Sequence, residues 1–278
     1  MPYRLQPGRM YRMPTHFGPR TGPRQGADGR RFENTDTPKK TEISVRFLTR
    51  RDQLEELLPQ RFELAGEPVV TVTASYITEI EWLAGRGYNT LGVSFPATFR
   101  GERDTATGSF LTVLWENLTD PIITGREELG FSKIYCELPD PIVLRGEWRL
   151  TASWLGFKFL DVRAQNLRQP SAEEAAVSSQ LNRSDGVLHF KYMPRTGEWG
   201  TADIAYATLT PSAAPNVVVK ERWIGEGGVH FHRARWEDMP TQYNIVNAFE
   251  ALAILEYRGA SVTKTVGAKD LSDQRILE

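Results

Sequence analysis

The sequence predicts an α+β protein in which antiparallel β-strands predominate. Segments of alternating apolar and polar residues recur along most of the chain, beginning with Ile43, Val45 and Phe47. Such alternation is typical of a strand with one buried face. Glycines such as Gly146 and Gly156 separate neighbouring alternating segments, and helical periodicity is confined to a few short stretches. These three observations together predict one mainly antiparallel sheet with a few flanking helices.

Each predicted element follows from a local pattern. Alternating or β-branched runs predict strands at residues 43–47, 69–77, 88–99, 110–115, 187–193, 204–209, 217–223 and 229–231, and paired strands within 142–162. Helices are predicted at 52–58, where Thr49 is an N-cap residue, at 121–129, and at 242–257, where Gly259 follows as a C-cap. Residues 168–185 are polar and predict a loop with a helical turn.

Length and composition place the chain among ordinary globular proteins. Its 278 residues are 40% apolar and 25% charged, with a formal net charge of -1, which does not indicate a polyanion-binding protein. Cys136 is the single cysteine, so no intrachain disulfide forms and a reducing compartment is favoured. No apolar run approaches the ~20 residues that span a bilayer, and no apolar core of a signal peptide follows the first arginines. We therefore expect a cytoplasmic protein with no membrane partner.

Residues 1–40 differ from the rest of the chain. They contain nine basic residues, seven of them arginine, and prolines and glycines recur throughout. Because proline and glycine interrupt regular structure, we expect an irregular basic arm over residues 1–40 and one domain over residues 41–278. A basic arm can contact nucleic acid, but no stacking aromatic residues alternate with its arginines, so we expect no nucleic-acid partner.

The stretch from Asp120 to Tyr135 carries the residue that points to chemistry. It contains Lys133, one of only 8 lysines, next to Phe131, Ile134 and Tyr135. One interpretation is structural: the aliphatic stem of a partly buried lysine packs while its ammonium reaches water. The other is catalytic: desolvation by these neighbours keeps the amine uncharged, so that it attacks a carbonyl carbon and forms a Schiff base.

The motif around this lysine resembles that of a known family. Gly125-Arg126-Glu127 followed by Ser132-Lys133 is similar to the Gly-Arg-Glu…Pro-Lys-Lys run of the acetoacetate decarboxylase family, with Lys133 at the Schiff-base position. Further resemblance is found at residues 13–19, at 49–64, and in a Trp-x-Gly…Asp-x-Pro passage at 223–240. The resemblance implies a cone-shaped antiparallel β-barrel with a few flanking helices, assembled as a homo-oligomer.

Several positions of the family's site are occupied by other residues. Ile134 stands where the family has a second lysine, and Thr90 stands where a Tyr-x-Glu motif, here residues 88–90, has its glutamate. A second family glutamate falls near Thr73, and an arginine near the amino end falls near Lys40. These substitutions around a retained lysine imply that the Schiff base forms but that the following step differs from decarboxylation.

We therefore expect a Schiff-base lyase that acts on a small oxo acid. The resemblance implies aldol condensation and dehydration of pyruvate or a related 2-oxo acid, with an aldehyde as co-substrate. Two alternatives stay open: a β-keto acid decarboxylase of the acetoacetate type, and a non-catalytic ligand-binding protein that retains the fold. No cofactor is expected, because the covalent Schiff base on Lys133 supplies the chemistry. Lys133→Ala is expected to abolish turnover with little effect on thermal stability.

Proton transfer and substrate binding require further side chains beside Lys133. Tyr257, at the end of the last predicted helix, is the first candidate for a catalytic proton-transfer residue. The predicted substrate-binding residues are Arg126, Glu128, Tyr88, Trp82 and Phe95, of which Glu128 and Tyr88 are also candidates for proton transfer. A structural role stays open for each of these residues. The tyrosines can pack against the sheet, the charged residues can form ion pairs, and the other aromatic rings can belong to the core.

Histidine and cysteine positions do not predict a metal centre. His230 and His232 lie two residues apart on a predicted strand, and His189 or His16 is available as a third ligand. No acidic residue or cysteine has ligand spacing to them, which favours surface histidines, and we expect no metal. Cys136 has no histidine near it in sequence, which favours a core residue over a nucleophile.

Overall fold

The computed structural model describes residues 4–175 and 184–278. Within these residues the chain forms fourteen strands. They are β1 (Lys39–Leu48), β2 (Phe62–Leu64), β3 (Val69–Thr78), β4 (Tyr88–Arg100), β5 (Thr105–Glu116), β6 (Lys133–Tyr135), β7 (Ile142–Leu144), β8 (Glu147–Trp154), β9 (Phe157–Arg168), β10 (Gly186–Pro194), β11 (Ala202–Pro211), β12 (Val218–Phe231), β13 (Glu256–Val266) and β14 (Arg275–Leu277).

The helices are short. They are α1 (Arg51–Glu55), α2 (Thr119–Thr124) and α3 (Tyr243–Glu250), with 3-10 turns at Thr15–Phe17 and Glu81–Leu83 and a π-helical turn at Gly125–Leu129. Residues 172–175 are also helical. Across the described residues, no helix has both the length and the apolar character needed to cross a membrane.

All of these strands belong to one sheet. Its order is β14-β11-β10-β5-β4-β3-β1-β13-β12-β9-β8-β7, with β2 added to β4 and β6 added to β5. Neighbouring strands are antiparallel, except that β5 runs parallel to both β10 and β6. Because the alternating segments pair with one another through their backbones, the predicted mainly antiparallel α+β fold is confirmed.

Alternation divides the central strands into two faces. On β4, Leu91, Val93 and Phe95 are each at most 1% exposed and pack in the hydrophobic core. Successive side chains of a strand point to opposite faces, so Tyr88 and Thr90 lie on the other face of β4. The core therefore occupies one side of the sheet and leaves the opposite side of β4 to polar groups.

The fully buried Trp115 of β5 connects α3 to this core. Its ring lies 5.2 Å from the Phe159 ring and 6.2 Å from the Phe249 ring, measured between centroids. Its indole Nε1 donates a hydrogen bond to Gln242 Oε1 at 2.7 Å, and Gln242 Nε2 donates to the carbonyl oxygen of Tyr135 at 3.0 Å. A buried indole N–H thus has a partner, and the start of α3 is joined to the end of β6.

Two strand and loop boundaries differ from the sequence-based ones. Residues 217–223 and 229–231 are predicted as separate strands, but β12 is continuous. The glycine-containing residues between them stay in the sheet because β9 pairs with them. Within the predicted loop at 168–185, residues 172–175 form the expected helical turn, and residues 176–183 lie outside the described part of the chain.

The predicted helix at 242–257 is too long. α3 ends at Glu250, and β13, a strand that the sequence pattern did not predict, begins at Glu256. Gly259 is not a helix cap: it lies within β13 with φ +85°, where the register of β13 against β1 shifts. Such a shift is a β-bulge, which favours glycine. Pairing of β13 with both β1 and β12 outweighs the helical periodicity of the segment.

Residues 4–38 precede the sheet. They contain the 3-10 turn Thr15–Phe17 and isolated bridges that join Gln25 to Gly22 and to Arg31. β1 begins at Lys39. The division into an arm over residues 1–40 and one domain over residues 41–278 stays a prediction.

Gly108 marks a close approach between β5 and β10. A Cβ atom there would overlap the carbonyl group of Gly186, its partner in β10. We expect Gly108→Ala to lower the free energy of unfolding by about 1–3 kcal/mol, the usual effect of overpacking. Gly228→Ala is the matched control, because the nearest heavy atom to a Cβ there is 4.0 Å away. Thermal denaturation compares the two variants, and equal melting temperatures would contradict this role of Gly108.

Candidate active site around Lys133

Lys133 is the buried centre of the site. It is the first residue of β6, which adds in parallel to the end of β5, and it is 8% exposed. Its Nζ atom lies 2.9 Å from Glu116 Oε1 and donates a hydrogen bond to the carbonyl oxygen of Pro121 at 3.1 Å. The ammonium therefore has two oxygen partners inside the protein.

Glu116, the partner of Lys133, is the last residue of β5, and its side chain is 1% exposed. Burial raises the pKa of Glu116, and the charge of Lys133 opposes that rise. Its second oxygen, Oε2, has no hydrogen-bond partner in the part of the chain that the structure describes. Because removing one partner of a buried ion pair is strongly destabilising, Glu116 depends on Lys133. Because its Oε2 atom has no hydrogen-bond partner among the described residues, this oxygen can accept a proton.

An aromatic pair forms the wall beside the amine. The centroid of the Phe131 ring is 5.2 Å from Lys133 Nζ, and the same ring stacks on His189 with centroids 4.1 Å apart. His189 is fully buried, and its Nε2 atom forms a hydrogen bond with the Thr210 hydroxyl at 2.9 Å. Burial and the positive charge of Lys133 lower the pKa of His189 to about 3. His189 is therefore neutral near pH 7 and adds no positive charge beside the amine.

Gly125 lets the lysine side chain pass. A Cβ atom at this position would lie 2.5 Å from Lys133 Cδ and 2.7 Å from Lys133 Nζ. Any side chain at Gly125 would thus displace the amine from Glu116. This contact gives a physical reason for the glycine of the Gly-Arg-Glu motif, since only glycine permits so close an approach.

A cavity of about 140 Å³ opens at Lys133. Its walls include Trp82 and Tyr88, whose rings are in edge-to-face contact with centroids 6.5 Å apart. Burial and the charge of Glu116 raise the pKa of Tyr88, so its phenol stays protonated and can donate a hydrogen bond. Because the cavity is much smaller than the ~300–1,000 Å³ of typical organic-ligand pockets, it admits only small molecules.

The amino-terminal segment closes one side of this cavity through Pro23 and Arg24. Glu128 holds the segment in place: it accepts a hydrogen bond from Arg24 Nη1 at 2.8 Å and forms a close ion pair with Arg12. The side chain of Arg12 is 4% exposed, so this ion cluster is largely removed from water. Glu128, predicted to bind substrate, is occupied by the two arginines and does not line the cavity.

Two predicted site residues lie elsewhere. Tyr257 belongs to β13 opposite Phe47, and its hydroxyl is hydrogen-bonded to the backbone N and O atoms of Val229 at 3.2 and 3.1 Å. Phe95 is in the core, on the opposite face of β4 from Tyr88. Neither lines the Lys133 cavity. The catalytic assignment of Tyr257 is corrected because α3 ends early, and the substrate-binding assignment of Phe95 because of strand alternation.

The residues next to Lys133 in the sequence do not all face its cavity. Arg126 Nη1 donates a hydrogen bond to the backbone carbonyl oxygen of Lys133 at 2.8 Å, and Arg126 lines a different cavity of about 570 Å³, as does Ile134. Tyr135 is 39% exposed. Ile134 faces away from Lys133 because successive residues of a strand point to opposite faces. Of the three apolar neighbours predicted to desolvate the amine, Phe131 is the one whose ring lies beside it.

Sequence reasoning missed Glu116 and Arg24. Thr90, at the position of the family's glutamate, pairs directly with Glu116, so the carboxylate of this site stands on the neighbouring strand. A glutamate that ends an otherwise apolar strand was the available signal for it. Lys40, which lies near the position where the resemblance places an arginine of the family, forms an ion pair with Glu42 at 2.8 Å and lines a separate cavity. No local pattern indicates Arg24, since its position depends on the path of an irregular segment.

The histidines are dispersed. His230 and His232 are in contact with ring centroids 4.5 Å apart, whereas His189 is buried against Phe131. Among residues 4–175 and 184–278, no three His, Cys, Asp or Glu side chains are grouped to hold a metal ion. For the whole chain the absence of a metal stays a prediction. Cys136 is a core residue, and burial raises the pKa of its thiol.

The fold and the site define a class: a mainly antiparallel β protein with a buried lysine–carboxylate pair beside a small cavity. The acetoacetate decarboxylase (ADC) family profile matches residues 12–267. The chain therefore belongs to the acetoacetate decarboxylase family, and the resemblance found in its sequence is confirmed. No curated protein matches the sequence.

Solved structures share this fold over most of their lengths. Acetoacetate decarboxylase from Legionella pneumophila has a TM-score of 0.64 at 21% identity, with 90% of this chain and 91% of that chain covered. An acetoacetate decarboxylase-like enzyme from Sphingomonas wittichii has a TM-score of 0.61 at 16% identity, covering 87% and 94%. The enduracididine biosynthesis enzyme MppR, complexed with the condensation product of pyruvate and imidazole 4-carboxaldehyde, has a TM-score of 0.57 at 16% identity, covering 87% and 90%. These related proteins are enzymes, and at such identities the similarity shows the fold alone, which confirms the predicted acetoacetate decarboxylase-like fold.

We expect Lys133→Met to lower the stability by about 3–5 kcal/mol at neutral pH and above, because Glu116 is left buried without its partner. A carboxyl group whose pKa is raised by folding binds more protons in the folded than in the unfolded state. The stability of the variant should therefore fall as the pH rises above the ordinary carboxyl value of 4.5. This expectation replaces the one, from sequence alone, that the lysine contributes little to thermal stability.

The double variant Lys133→Met/Glu116→Gln is the control, since it removes the buried acid as well. Chemical denaturation between about pH 5 and pH 9 should show the added pH dependence in Lys133→Met and not in the double variant. The same pH dependence in both variants would show that Glu116 is not the group responsible.

Proposed function

We propose that this chain is a Schiff-base lyase that condenses pyruvate, or a related small 2-oxo acid, with an aldehyde and then dehydrates the product. The observation that carries this proposal is the buried amine of Lys133, 2.9 Å from a carboxylate oxygen of Glu116, at a cavity of about 140 Å³. The condensation product bound by the structurally similar MppR supports it. No cofactor is required, because the imine nitrogen serves as the electron acceptor.

Glu116 provides the base that Lys133 needs. An ammonium group has no free electron pair, so its proton must leave before the nitrogen attacks the C2 carbonyl of pyruvate. Glu116 Oε1 is within hydrogen-bond distance of that proton, and burial raises the pKa of Glu116 towards the working pH. Loss of water from the resulting carbinolamine gives an iminium on Lys133.

The second half of the reaction forms a carbon–carbon bond. Removal of a proton from C3 of the iminium gives an enamine, whose C3 attacks the aldehyde carbon. A second C3 proton and the new hydroxyl then leave together as one water, which gives a conjugated iminium. Its hydrolysis takes up one water and releases the unsaturated 2-oxo acid and free Lys133. In this proposal Glu116 removes the C3 proton, and the Tyr88 hydroxyl donates a hydrogen bond to the aldehyde oxygen. The net reaction joins one pyruvate and one aldehyde with loss of one water and no oxidation.

Arg24 is the seat for the substrate carboxylate in this proposal. It lines the cavity, and its Nη1 atom donates to Glu128. A guanidinium has five N–H donors in a planar fork, which leaves capacity for a second carboxylate. Lys269 also lines the cavity, but its ammonium forms an ion pair with Asp273 at 2.6 Å and donates to two backbone carbonyl oxygens. Lys269 therefore adds positive charge to the cavity, but its N–H donors are already used by these partners.

Decarboxylation of a β-keto acid is the second candidate, and membership of the acetoacetate decarboxylase family favours it. It needs the same iminium, which accepts the electron pair released as CO2 leaves. In this chain, however, Ile134 replaces the second lysine of the family and faces another cavity. Thr90 replaces a glutamate. We therefore expect condensation to be faster than decarboxylation.

The Schiff base is tested by reductive trapping. Incubation with pyruvate and borohydride should add mass to the tryptic peptide that carries Lys133 and to none of the other seven lysines. Lys133→Arg should not trap, because a guanidinium stays charged and forms no imine. Glu116→Gln should slow trapping by about 10²–10⁴-fold, the usual contribution of a general base.

Lys158→Arg is the matched control for this experiment. Lys158 is a half-exposed lysine of β9 that forms an ion pair with Asp161. Its replacement should leave the extent and position of labelling unchanged. An adduct on any lysine other than Lys133, or unimpaired trapping by Lys133→Arg, would refute the assignment.

The two candidate reactions are separated by their products. The enzyme supplied with pyruvate and a small aldehyde such as acetaldehyde should form the unsaturated 2-oxo acid, seen as a new ultraviolet absorption. Acetoacetate supplied alone should release CO2 only slowly. A kcat for CO2 release within the usual enzymatic range of ~1–10³ per second, together with no condensation product, would establish the decarboxylase instead.

A further inference from the structure

A third cavity, of about 530 Å³, lies apart from the Lys133 site. Its lining includes Lys39, Lys40, Lys220 and Lys264, which are half of the 8 lysines in the sequence. Asp140 is the one carboxylate in that lining. Among the described residues, none lines both this cavity and the Lys133 cavity. Lys39, Lys40 and Lys264 each form an ion pair with a glutamate outside this lining.

Lys220 is presented to this cavity by an irregularity of the sheet. Val219 pairs with Thr265 and Glu221 pairs with Lys264, so Lys220 is the extra residue of a β-bulge in β12. Bulges redirect side chains and are frequent beside functional sites. Lys220 forms no ion pair within the part of the chain that the structure describes, which leaves its charge available to a ligand.

Two buried hydroxyl groups in the lining have no partner. Tyr76 is 7% exposed and Thr265 is 6% exposed, and neither Tyr76 Oη nor Thr265 Oγ1 has a hydrogen bond within the described part of the chain. A buried hydroxyl without a partner costs about 1–3 kcal/mol. Burial and the nearby charge of Asp140 raise the pKa of Tyr76, so its phenol stays protonated and is a donor. Tyr76 and Thr265 both line the cavity, so its wall contains two hydroxyl groups without a hydrogen-bond partner in the described structure.

The other three lysines of the lining form ion pairs. Lys40 pairs with Glu42 at 2.8 Å, and these two side chains are 32% and 33% exposed. Lys39 is ion-paired with Glu79 at 2.7 Å and Lys264 with Glu221 at 3.0 Å, and each of these four side chains is 42–56% exposed. Exposed pairs of this kind contribute little to stability. Their lysines can therefore turn towards a ligand at little loss.

We propose that this cavity binds an organic anion that carries two or more carboxylate or phosphate groups. Lys220 and Lys264 bind one anionic group, and the hydroxyls of Tyr76 and Thr265 donate hydrogen bonds to the ligand. Trp148, which also lines the cavity, contacts the carbon skeleton. A volume of about 530 Å³ lies within the ~300–1,000 Å³ range of sites for organic ligands.

The test is calorimetric titration of the full chain at constant ionic strength, with citrate as the carboxylate probe and fructose 1,6-bisphosphate as the phosphate probe. We expect at least one probe to bind saturably with one site per chain. Lys220→Gln should weaken its binding about fivefold, the effect of one charge at close range in water. Tyr76→Phe should weaken it about tenfold, the effect of one hydrogen bond to a charged group.

Three controls separate this site from general charge attraction and from the Lys133 cavity. Lys158→Gln removes the same charge from β9 and should leave the affinity within about twofold, since Lys158 does not line the cavity. An excess of pyruvate should not displace the probe. Tyr76→Phe should melt no lower than the unmodified chain without ligand, because the lost hydroxyl has no partner in the described structure.

The proposal is overturned if neither probe binds saturably. It is also overturned if Lys158→Gln weakens binding as much as Lys220→Gln, or if pyruvate competes with the probe.

Discussion

The buried ion pair between Lys133 and Glu116 is the interaction on which the structure around the site depends. Neither Lys133 nor Glu116 has enough water around it to keep a charge alone, so each depends on the other. The parallel addition of β6 to the end of β5 brings the two together. Gly125 has no side chain, and this leaves room for the Lys133 side chain to reach Glu116. The same geometry places a base beside an amine, which is the requirement of Schiff-base chemistry.

Strand alternation keeps this pair apart from the hydrophobic core. Leu91 and Phe95 fill the core side of β4, whereas Tyr88 and Thr90 stand on the side of Glu116. Polar groups can therefore gather at the end of β5 without interrupting the packing behind them. Thr90 pairs with Glu116 across the two strands, so the carboxylate of Glu116 lies on the same face of the sheet as Thr90.

The irregular amino-terminal segment completes the site although it has almost no regular structure. Glu128 binds both Arg12 and Arg24, and this buried cluster fixes the segment against the π-helical turn that precedes Lys133. Fixing each residue of the segment costs conformational entropy, and the ion cluster is one of the interactions that offset this cost. The positive charge at the cavity is thus supplied from outside the sheet.

The sequence alone determined the strand-rich fold and most strand positions, and it selected Lys133 as the candidate site residue. Each of these rests on a local pattern or a short motif. The tertiary structure decided which side chains meet this lysine. Glu116 and Arg24 approach it from segments remote in sequence, and the strand pairing of β13 removed Tyr257 from the site. Alternation and motifs report the nearest neighbours along the chain, whereas a buried charge selects its partners across the fold, where register and chain path place them.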